Sequence, residues 1–351
     1  MERFMEHFIQ TGFFDLQNRY EALSSEGDPL EKLDKVIDWK LFLPLINRAF
    51  SRERKSEAGR KPYNRILMFK LLILQSLYNL SDNKVCFQAQ DRLSFMRFLK
   101  IGLSEKVPDE KTLWSFREVL TKGKVIEKLF MKFDEYLSAQ GLEASCGSMV
   151  DATIVEVPKQ RNSREDNETI KKGETPKSFE KNENRKQQKD VDARWMKKNG
   201  ENYYGYKNHV NADVKHKLIR SYEVSSAAVH DSHCLLGLLE KARESGNDKK
   251  IWADNAYYSQ AMEKQLGEMG YASRMIQRNY DHPVGSDRDR ENHRRSKIRK
   301  RVEHIFGFMV NSMAGKMIRG IGIVRAETKI GLKNLTYNLC RYEQILRLGV
   351  A

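Results

Sequence analysis

Three acidic residues, each in a different local setting, are the strongest candidates for chemistry in this sequence. Asp151 lies in an apolar run, residues 148–157, that has the pattern of a strand, and Asp254 closes a second such run. Glu303 lies in a helical segment that carries eight basic residues between positions 288 and 301. Carboxylates at the ends of apolar strands are costly to bury unless a cation compensates their charge, and divalent metal ions are natural candidates.

Such a set of carboxylates suits phosphodiester chemistry. Two strand-end aspartates and a glutamate from a neighbouring helix can hold two Mg²⁺ or Mn²⁺ ions roughly 4 Å apart, which activate a water or hydroxyl and stabilise the leaving oxygen. The chain contains 63 Lys and Arg against 48 Asp and Glu, a net charge of +15. This surplus favours a polyanionic partner, so the sequence predicts metal-dependent chemistry on a nucleic-acid backbone.

The helix around Glu303 has the features needed to place a carboxylate beside a sheet. Its apolar side chains recur at helical spacing and form one stripe, which consists of Ile298, Val302, Ile305, Phe306, Met309 and Met313. Arg299, one turn before Glu303, is placed either to orient that acid or to hold a phosphate, and Arg295 is a further predicted phosphate contact. Glu291, 37 positions after Asp254, is the alternative third acid, but it precedes the stripe.

Residues 1–140 are predicted to form a helical domain that binds DNA and assists assembly. The segment 64–80 is apolar on most sides, as expected for the central helix of a bundle, and Asp109 can cap a later helix. Lys70, within that central helix, is expected to extend its ammonium toward solvent. The basic candidates for DNA contacts in this half are Arg92, Arg97, Arg117, Lys122 and Lys124.

Residues 146–346 are predicted to form an α/β domain in which helices pack on a mixed sheet. Predicted strands cover 148–157, 203–212, 217–224, 249–254 and 273–278, and predicted helices begin near 230, 259 and 294. Because the ends of adjacent strands bring distant side chains together, Asp151 and Asp254 are expected to meet there. On the second strand, Lys207 is predicted to contact DNA, whereas the sequence leaves DNA contact and sheet packing both open for Tyr204 and Tyr206.

A strongly charged insertion separates the first two strands. Residues 158–198 contain 13 basic and 8 acidic residues in 41 positions, with almost nothing to bury. This composition predicts a mobile, solvated and partly helical segment. It would serve either as a DNA-tracking arm or as a tolerated surface loop.

Several classes of protein are disfavoured by the sequence. The four cysteines show no paired spacing, which argues against a zinc ribbon or a disulfide framework and fits a reducing cytoplasm. His209, His216, His230 and His233 fit no zinc-finger spacing. No signal-peptide pattern opens the chain, and the longest apolar stretch, 66–80, is too short and too polar to span a bilayer. We therefore expect a cytoplasmic, nucleoid-associated protein without membrane contact.

Short motifs appear in a distinctive order over nearly the whole chain. In the first half they are DPL (28–30), YNRILMFKLL (63–72), LYNLSD (77–82), DRLSF (91–95), VPDEKT (107–112) and FR (116–117). In the second half they are DATIV (151–155), YGYK (204–207), VHDS (229–232), ADNAY (253–257), RVEHIFG (301–307) and KNLTYNLCR (333–341). In this order they resemble the bacterial insertion-sequence transposases of the DDE class, and are most similar to the insertion-sequence-five group.

The resemblance implies a ribonuclease H-like catalytic domain whose metal-binding acids are Asp151, Asp254 and Glu303. It also implies cleavage at the terminal inverted repeats of a mobile element and transfer of the freed 3′-hydroxyls into target DNA, by a homodimer or larger assembly. One departure concerns the pattern Tyr-x-x-Arg-x-x-x-Glu-x6-Lys of many relatives, because its Tyr and Lys positions hold Ser296 and Val310 here. The DNA-end contacts of those two positions are therefore not carried over.

Two other functions remain open from the sequence. A catalytically inactive descendant would bind DNA as a repressor or an architectural protein, and the presence of all three acids disfavours it. A metal-dependent nuclease would cut DNA without strand transfer.

Overall fold

The computed structural model describes residues 12–51, 61–144, 146–180, 182–242, 249–277, 286–315 and 317–349. The first half of the chain is helical there, as predicted. Its helices are α1 (Asp15–Ser25), α2 (Pro29–Val36), α3 (Leu43–Ala49), α4 (Arg65–Tyr78), α5 (Asp82–Asp91), α6 (Leu93–Leu99), α7 (Glu110–Lys122) and α8 (Val125–Ala139). A 3-10 turn at Trp39–Phe42 precedes α3, and Asp109 caps α7 as predicted.

Helix α4 is the centre of this bundle. Asn64 caps it by accepting hydrogen bonds from amides of the first turn, and every residue from 68 to 74 is buried. Burial on all sides confirms the prediction of a central helix. The prediction that Lys70 reaches solvent is wrong, because α4 is covered on all sides; the ammonium donates instead to Asp34 and to the carbonyl of Phe98.

The second half contains a mixed sheet of six strands. They are β1 (Ser148–Glu156), β2 (Arg194–Lys198), β3 (Glu201–Asp213), β4 (Ile219–Ser226), β5 (Lys250–Trp252) and β6 (Ala272–Ser273). Strand β1 is central, with β3 antiparallel on one side, β5 parallel on the other, and β6 parallel beyond β5. Both β2 and β4 pair antiparallel with the outer edge of β3. The predicted mixed sheet is confirmed, although β6 is shorter than predicted, and residue 278 lies outside the described residues.

The helices of this half flank the sheet. They are α9 (Arg164–Lys171), α10 (Lys177–Glu180), α11 (Glu183–Gln188), α12 (Leu235–Lys241), α13 (Gln260–Glu268), α14 (Asp287–Arg299), α15 (Glu303–Asn311) and α16 (Ile323–Leu348). The predicted helix around Glu303 is divided by a 3-10 turn, Lys300–Val302, so Glu303 begins α15. Its apolar stripe packs on the core as predicted. The helix predicted from 230 starts as a 3-10 turn, Asp231–Cys234, and its predicted end near 245 lies outside the described residues.

The charged insertion packs against the sheet, so the prediction that it has almost nothing to bury is wrong. Ile170 and Phe179 are buried, and β2 extends the sheet at β3. Asp190 is 2% exposed and accepts hydrogen bonds from the hydroxyl of Tyr206 (2.8 Å) and the amide of Gly322 (3.2 Å). A few apolar anchors and one buried carboxylate are enough to hold a segment whose average composition is that of a solvated loop.

Helix α16 joins the two halves of the chain in one hydrophobic core. Its apolar residues, among them Leu335 and Leu339, belong to the same buried cluster as α4, α8 and parts of the sheet. Its polar residues bind the sheet directly: Asn334 exchanges two amide hydrogen bonds with Asn208 (2.8 and 3.1 Å). Within the described residues, no helix combines the length and the apolar character needed to cross a membrane.

Replacement of Asp190 by alanine should lower the free energy of unfolding by about 2–3 kcal/mol, because several buried donors lose their acceptor at once. These donors are the hydroxyl of Tyr206 and the amides of Asp192, Ala193 and Gly322. Chemical denaturation measures the change. Glu174→Ala, which removes an exposed carboxylate from the same insertion, should change the value by less than about 0.5 kcal/mol. Equal losses in both variants would contradict an anchoring role for Asp190.

Candidate active site

The register of β1 and β5 brings Asp151 and Asp254 to the same end of the sheet. Met149 lies opposite Trp252 in this parallel pair, and Asp151 and Asp254 each follow two residues later. Residues paired in this way present their side chains on the same face of a sheet. Asp254 follows the end of β5 and caps the 3-10 turn Asn255–Tyr257. The two carboxylates therefore share one edge of the site, as expected from the sequence.

One guanidinium links the first acid to the third. Arg299 ends α14 and donates from one amino group to Asp151 and from the other to Glu303, each at 2.8 Å. The side chains of Arg299 and Asp151 are mostly buried, whereas that of Glu303 is 55% exposed. The sequence offered two roles for Arg299, to orient Glu303 or to hold a phosphate. These contacts match the first role, because carboxylates occupy both amino groups of the guanidinium.

Asp151 carries its charge in a partly desolvated place. Burial raises the pKa of Asp151 to about 6, and the neighbouring charge of Asp254 adds to the rise. The amide of Ala152, 2.8 Å from the carboxylate, and the guanidinium of Arg299 act in the opposite direction. A cation beside both carboxylates would stabilise their charged forms further, because it attracts the two like charges at once.

Tyr257 lies behind these acids, and its only signal in the sequence is its position three residues after Asp254. The ring is buried, and its hydroxyl has no hydrogen-bond partner among the described residues. Burial raises the pKa of Tyr257 well above its usual range, and the charges of Asp151, Asp231 and Asp254 contribute. The charge of a further acid, Asp231, therefore also acts on this phenol. The sequence did not indicate that Asp231 lies near the site.

The alternative third acid, Glu291, lies further back on α14. Its carboxylate accepts a hydrogen bond from Arg295 (3.1 Å), which also donates to the carbonyl of Met275 (2.8 Å). No contact in the described part of the chain links Glu291 to either aspartate of the site. The geometry therefore favours Glu303, and it places Arg295 in a contact that holds α14 against the segment after β6.

Two of the basic residues predicted to contact DNA are buried in ion pairs. Lys207 donates to Asp231 (2.8 Å) and to the carbonyl of Val229 (2.7 Å). Arg117 makes a two-pronged pair with Asp82 (2.6 and 2.7 Å). Both side chains are under a tenth exposed. Neither matches the surface phosphate contact predicted for it, because the strand and the helix that carry them pack into the core.

Burial also decides between the alternatives for the two tyrosines of β3. Tyr204 and Tyr206 are both buried. Their hydroxyls donate to the backbone carbonyl and to the carboxylate of Asp190, respectively. Sheet packing, and not DNA contact, therefore accounts for both residues.

The carboxylate oxygens of the site suit a divalent cation, although Arg299 at present occupies Asp151 and Glu303. Among the residues that the structure describes, no three His, Cys, Asp or Glu side chains form a ready metal cluster. Asp151 and Asp254 nevertheless supply the hard oxygen ligands that Mg²⁺ and Mn²⁺ prefer, and their mutual repulsion favours a cation beside them. Glu303 completes such a set only if Arg299 releases it.

Two family models match the chain. Residues 18–119 match the Transposase domain (DUF772), and residues 143–339 match the Transposase DDE domain. The chain belongs to the DDE transposase family. The DDE match runs from before β1 into α16 and contains Asp151, Asp254 and Glu303. Membership of the insertion-sequence-five group stays a prediction.

Among solved structures, this transposase is similar to a cryo-EM structure of the piggyBac transposase synaptic complex with hairpin DNA. The sequences are 10% identical, and the TM-score is 0.46. The match covers 92% of this chain and 76% of that one.

The two candidate third acids can be separated by matched substitutions. If Glu303 is the third acid that the sequence predicts, Glu303→Gln should slow DNA cleavage in the presence of Mg²⁺ by at least about 100-fold, because the substitution removes the charge that would bind the ion. Glu291→Gln should change the rate by less than about threefold, since its partner Arg295 lies away from the aspartates. Initial rates on a labelled DNA substrate measure both. The reverse ranking would assign the third acid to Glu291.

Proposed function

We propose that this transposase cuts DNA at the terminal inverted repeats of a mobile element and joins the freed 3′-hydroxyls to target DNA, with Asp151, Asp254 and Glu303 as catalytic acids. The observation that carries the proposal is their convergence. Two aspartates from separate strands meet at one end of the sheet, and Arg299 ties the glutamate of α15 to the first of them. The net charge of +15 supports a DNA substrate.

The sheet supports a ribonuclease H-like fold for the catalytic region. Strands β1, β3 and β4 form an antiparallel series, and β5 and β6 continue the sheet parallel to β1 on its other side. This is the strand order of a ribonuclease H-like sheet once β2 is counted with the insertion. In such a sheet the central strand carries one acid and the neighbouring parallel strand leads to the second, as Asp151 and Asp254 do.

Asp151, Asp254 and Glu303 would hold two divalent ions. When bound, such ions lower the pKa of an attacking water or hydroxyl and neutralise charge on the phosphate. The chain itself supplies the rest of the site. Strands β1 and β5 position the aspartates, and the buried Tyr257 lies close enough to feel the charge of both. Glu303, the most exposed of the three, stands at the open side from which DNA would enter.

Arg299 acts in this scheme as a positioning residue. Its planar fork holds Asp151 and Glu303 at fixed places and compensates their charge until cations enter. A contact from Arg299 to a DNA phosphate requires that it first leave one of the two carboxylates. Likewise, Arg299 would have to release Glu303 before that carboxylate could hold a cation together with Asp151 and Asp254.

A single assay tests the proposed reaction. Incubation of the protein with Mg²⁺, a labelled inverted-repeat end and a plasmid should give both cleaved ends and joined products. Asp151→Asn should reduce both by at least about 1,000-fold, because it removes a ligand charge without a change of shape. Cleavage without joined products would indicate a nuclease. A shifted but intact DNA would indicate a binding protein that lacks the activity.

Arg299→Lys should lower the cleavage rate by about tenfold or more and leave DNA affinity within about twofold, because one ammonium cannot reproduce the two-pronged contact. The matched control is Arg295→Lys on the same helix, whose partners are Glu291 and Met275. Titration with Mn²⁺ supplies a second readout, and only the Arg299 variant should bind the ion differently. Equal effects of the two substitutions would contradict the positioning role.

A further inference from the structure

Lys207 is a charged residue in the middle of the sheet whose role neither DNA contact nor the three acids explain. Its strand, β3, pairs at this position with Ile154 of β1 and with Ser225 of β4. The side chain is 8% exposed, and a buried ammonium is costly unless it is paired. Because neighbouring strands hold the backbone on both sides, β3 presents this ammonium from a rigid support.

The ammonium of Lys207 binds two groups of the segment that follows β4. It donates to the carbonyl of Val229 at 2.7 Å and to the carboxylate of Asp231 at 2.8 Å. Asp231 is the first residue of the 3-10 turn Asp231–Cys234, which leads directly into α12. Lys207 therefore fastens the beginning of this turn to the centre of the sheet. We refer to Lys207, Val229 and Asp231 together as the lysine clamp.

The turn held by the lysine clamp packs against the segment that carries Asp254. The 3-10 turn Asp231–Cys234 contacts the 3-10 turn Asn255–Tyr257. Behind the two turns, Leu235 and Tyr257 belong to one buried apolar cluster. Asp254 is bound into its own turn, because its carboxylate accepts from the next amide (2.7 Å) and its carbonyl accepts from the amide of Tyr257 (3.1 Å). The position of Asp254 therefore depends on the turn that the clamp holds.

The charge of Asp231 lies close to both aspartates of the proposed active site. Burial raises the pKa of the Tyr257 phenol, and the charges of Asp231 and of the two aspartates all add to this rise. His209, the next residue of β3 on the same face, does not balance Asp231, since burial lowers the pKa of His209 to about 4 and leaves the ring neutral at pH 7. The ammonium of Lys207 therefore compensates a third negative charge near the pair.

We propose that Lys207 is a positioning residue of the active site. Through its two hydrogen bonds it fixes the turn Asp231–Cys234, and through that turn it holds Asp254 where this acid can bind a divalent ion. Residues that hold metal ligands in place commonly matter for the metal, and their loss weakens metal affinity by about 10- to 100-fold. The ion-binding role of Asp254 rests on the proposed function, whereas the clamp rests on the contacts of Lys207 alone.

Mn²⁺ binding to the full chain without DNA, followed by electron paramagnetic resonance, tests the effect on the site. Lys207→Met removes both hydrogen bonds and should raise the dissociation constant for Mn²⁺ by about tenfold. The matched control is Asp82→Asn in the helical half, which breaks a pair with Arg117 whose side chains are 24% and 7% exposed, against 27% and 8% in the clamp. This control should change the constant by less than about twofold. Equal losses in both variants, or none in Lys207→Met, would overturn the proposal.

The sign of the change separates the effect of position from that of charge. Lys207→Met leaves the negative charge of Asp231 uncompensated, and this charge by itself would tighten the binding of a cation. Asp231→Asn leaves an unpaired ammonium, which by itself would weaken that binding. The clamp predicts weaker binding in both variants, because each disturbs the same contact. Tighter binding of Mn²⁺ by Lys207→Met would overturn the proposal.

A double variant that combines Lys207→Met with Asp231→Asn guards against a simple loss of fold. It leaves no unpaired charge in the clamp, so its thermal unfolding midpoint should lie at or above that of Lys207→Met. Because both charges are removed together, its Mn²⁺ dissociation constant reports the position of Asp254 and should stay raised by about tenfold. A return to the wild-type constant would show that only charge acts, and it would contradict the positioning role.

The kinetics of DNA cleavage separate the clamp from a direct contact of Lys207 with DNA. At a limiting concentration of Mn²⁺, Lys207→Met should lower kcat by about tenfold and leave KM for DNA within about twofold. A raised KM together with an unchanged Mn²⁺ dissociation constant would assign Lys207 to DNA contact and overturn the proposal.

Hydrogen exchange of backbone amides tests the clamp without reference to metal or DNA. Lys207→Met should speed exchange by at least about fivefold at the amides of Tyr257 and Tyr258, which are bonded within the turn after Asp254. Asp82→Asn should leave exchange at both amides unchanged. If the wild-type protein neither binds Mn²⁺ nor cuts DNA, the proposed function fails; faster exchange in this turn then still supports the clamp, and unchanged exchange overturns it.

Discussion

The burial of α16 between the helical bundle and the sheet is the constraint on which the rest of the structure depends. The helix approaches the sheet so closely that a Cβ at Gly331 would lie 2.4 Å from the hydroxyl oxygen of Tyr222. On the same side of α16, the side-chain amide of Asn338 accepts a hydrogen bond from the backbone amide of Ile219 and donates one to its carbonyl. These two bonds join the helix to the strand and leave neither backbone group of Ile219 unpaired. A buried helix tolerates polar residues only where such partners exist. This contact between α16 and the sheet fixes the position of the sheet and therefore that of the acidic site.

Two places in the described part of the protein hold desolvated charge, and the charges at these two places have opposite signs. At the end of β5, two acidic side chains converge and the guanidinium of Arg299 is their counter-ion. On α16, the buried ammonium of Lys333 lies against Gly315 and has no hydrogen-bond partner in the described part of the chain. By contrast, Arg220 and Asp134 are buried as an ion pair, with a hydrogen bond of 2.9 Å between them. Because desolvated charge is costly, the acidic pair and Lys333 would each be stabilised by a group of opposite charge.

Local patterns in the sequence predicted the helices and strands well. They predicted poorly which partners an individual side chain would contact. Asp109 begins its helix as predicted, because a cap acts within one turn. Lys207 and Arg117 were predicted to contact DNA because they are basic, yet both lie in buried ion pairs. The insertion was misjudged for the same reason, since Asp190 finds Tyr206 and Gly322 only after the chain has folded.

The sequence by itself determined the helical first half, the mixed sheet of the second half and the identity of the candidate acids, because periodicity, caps and residue types act over short stretches. Only the tertiary structure decided that Asp151 and Asp254 meet at one end of the sheet, that Arg299 links Asp151 to Glu303, and that the ammonium of Lys333 has no hydrogen-bond partner in the described part of the chain. These facts depend on strand register and on which side chains a packed core leaves without a partner. Both arise from contacts between residues far apart in the chain, which a local pattern does not record.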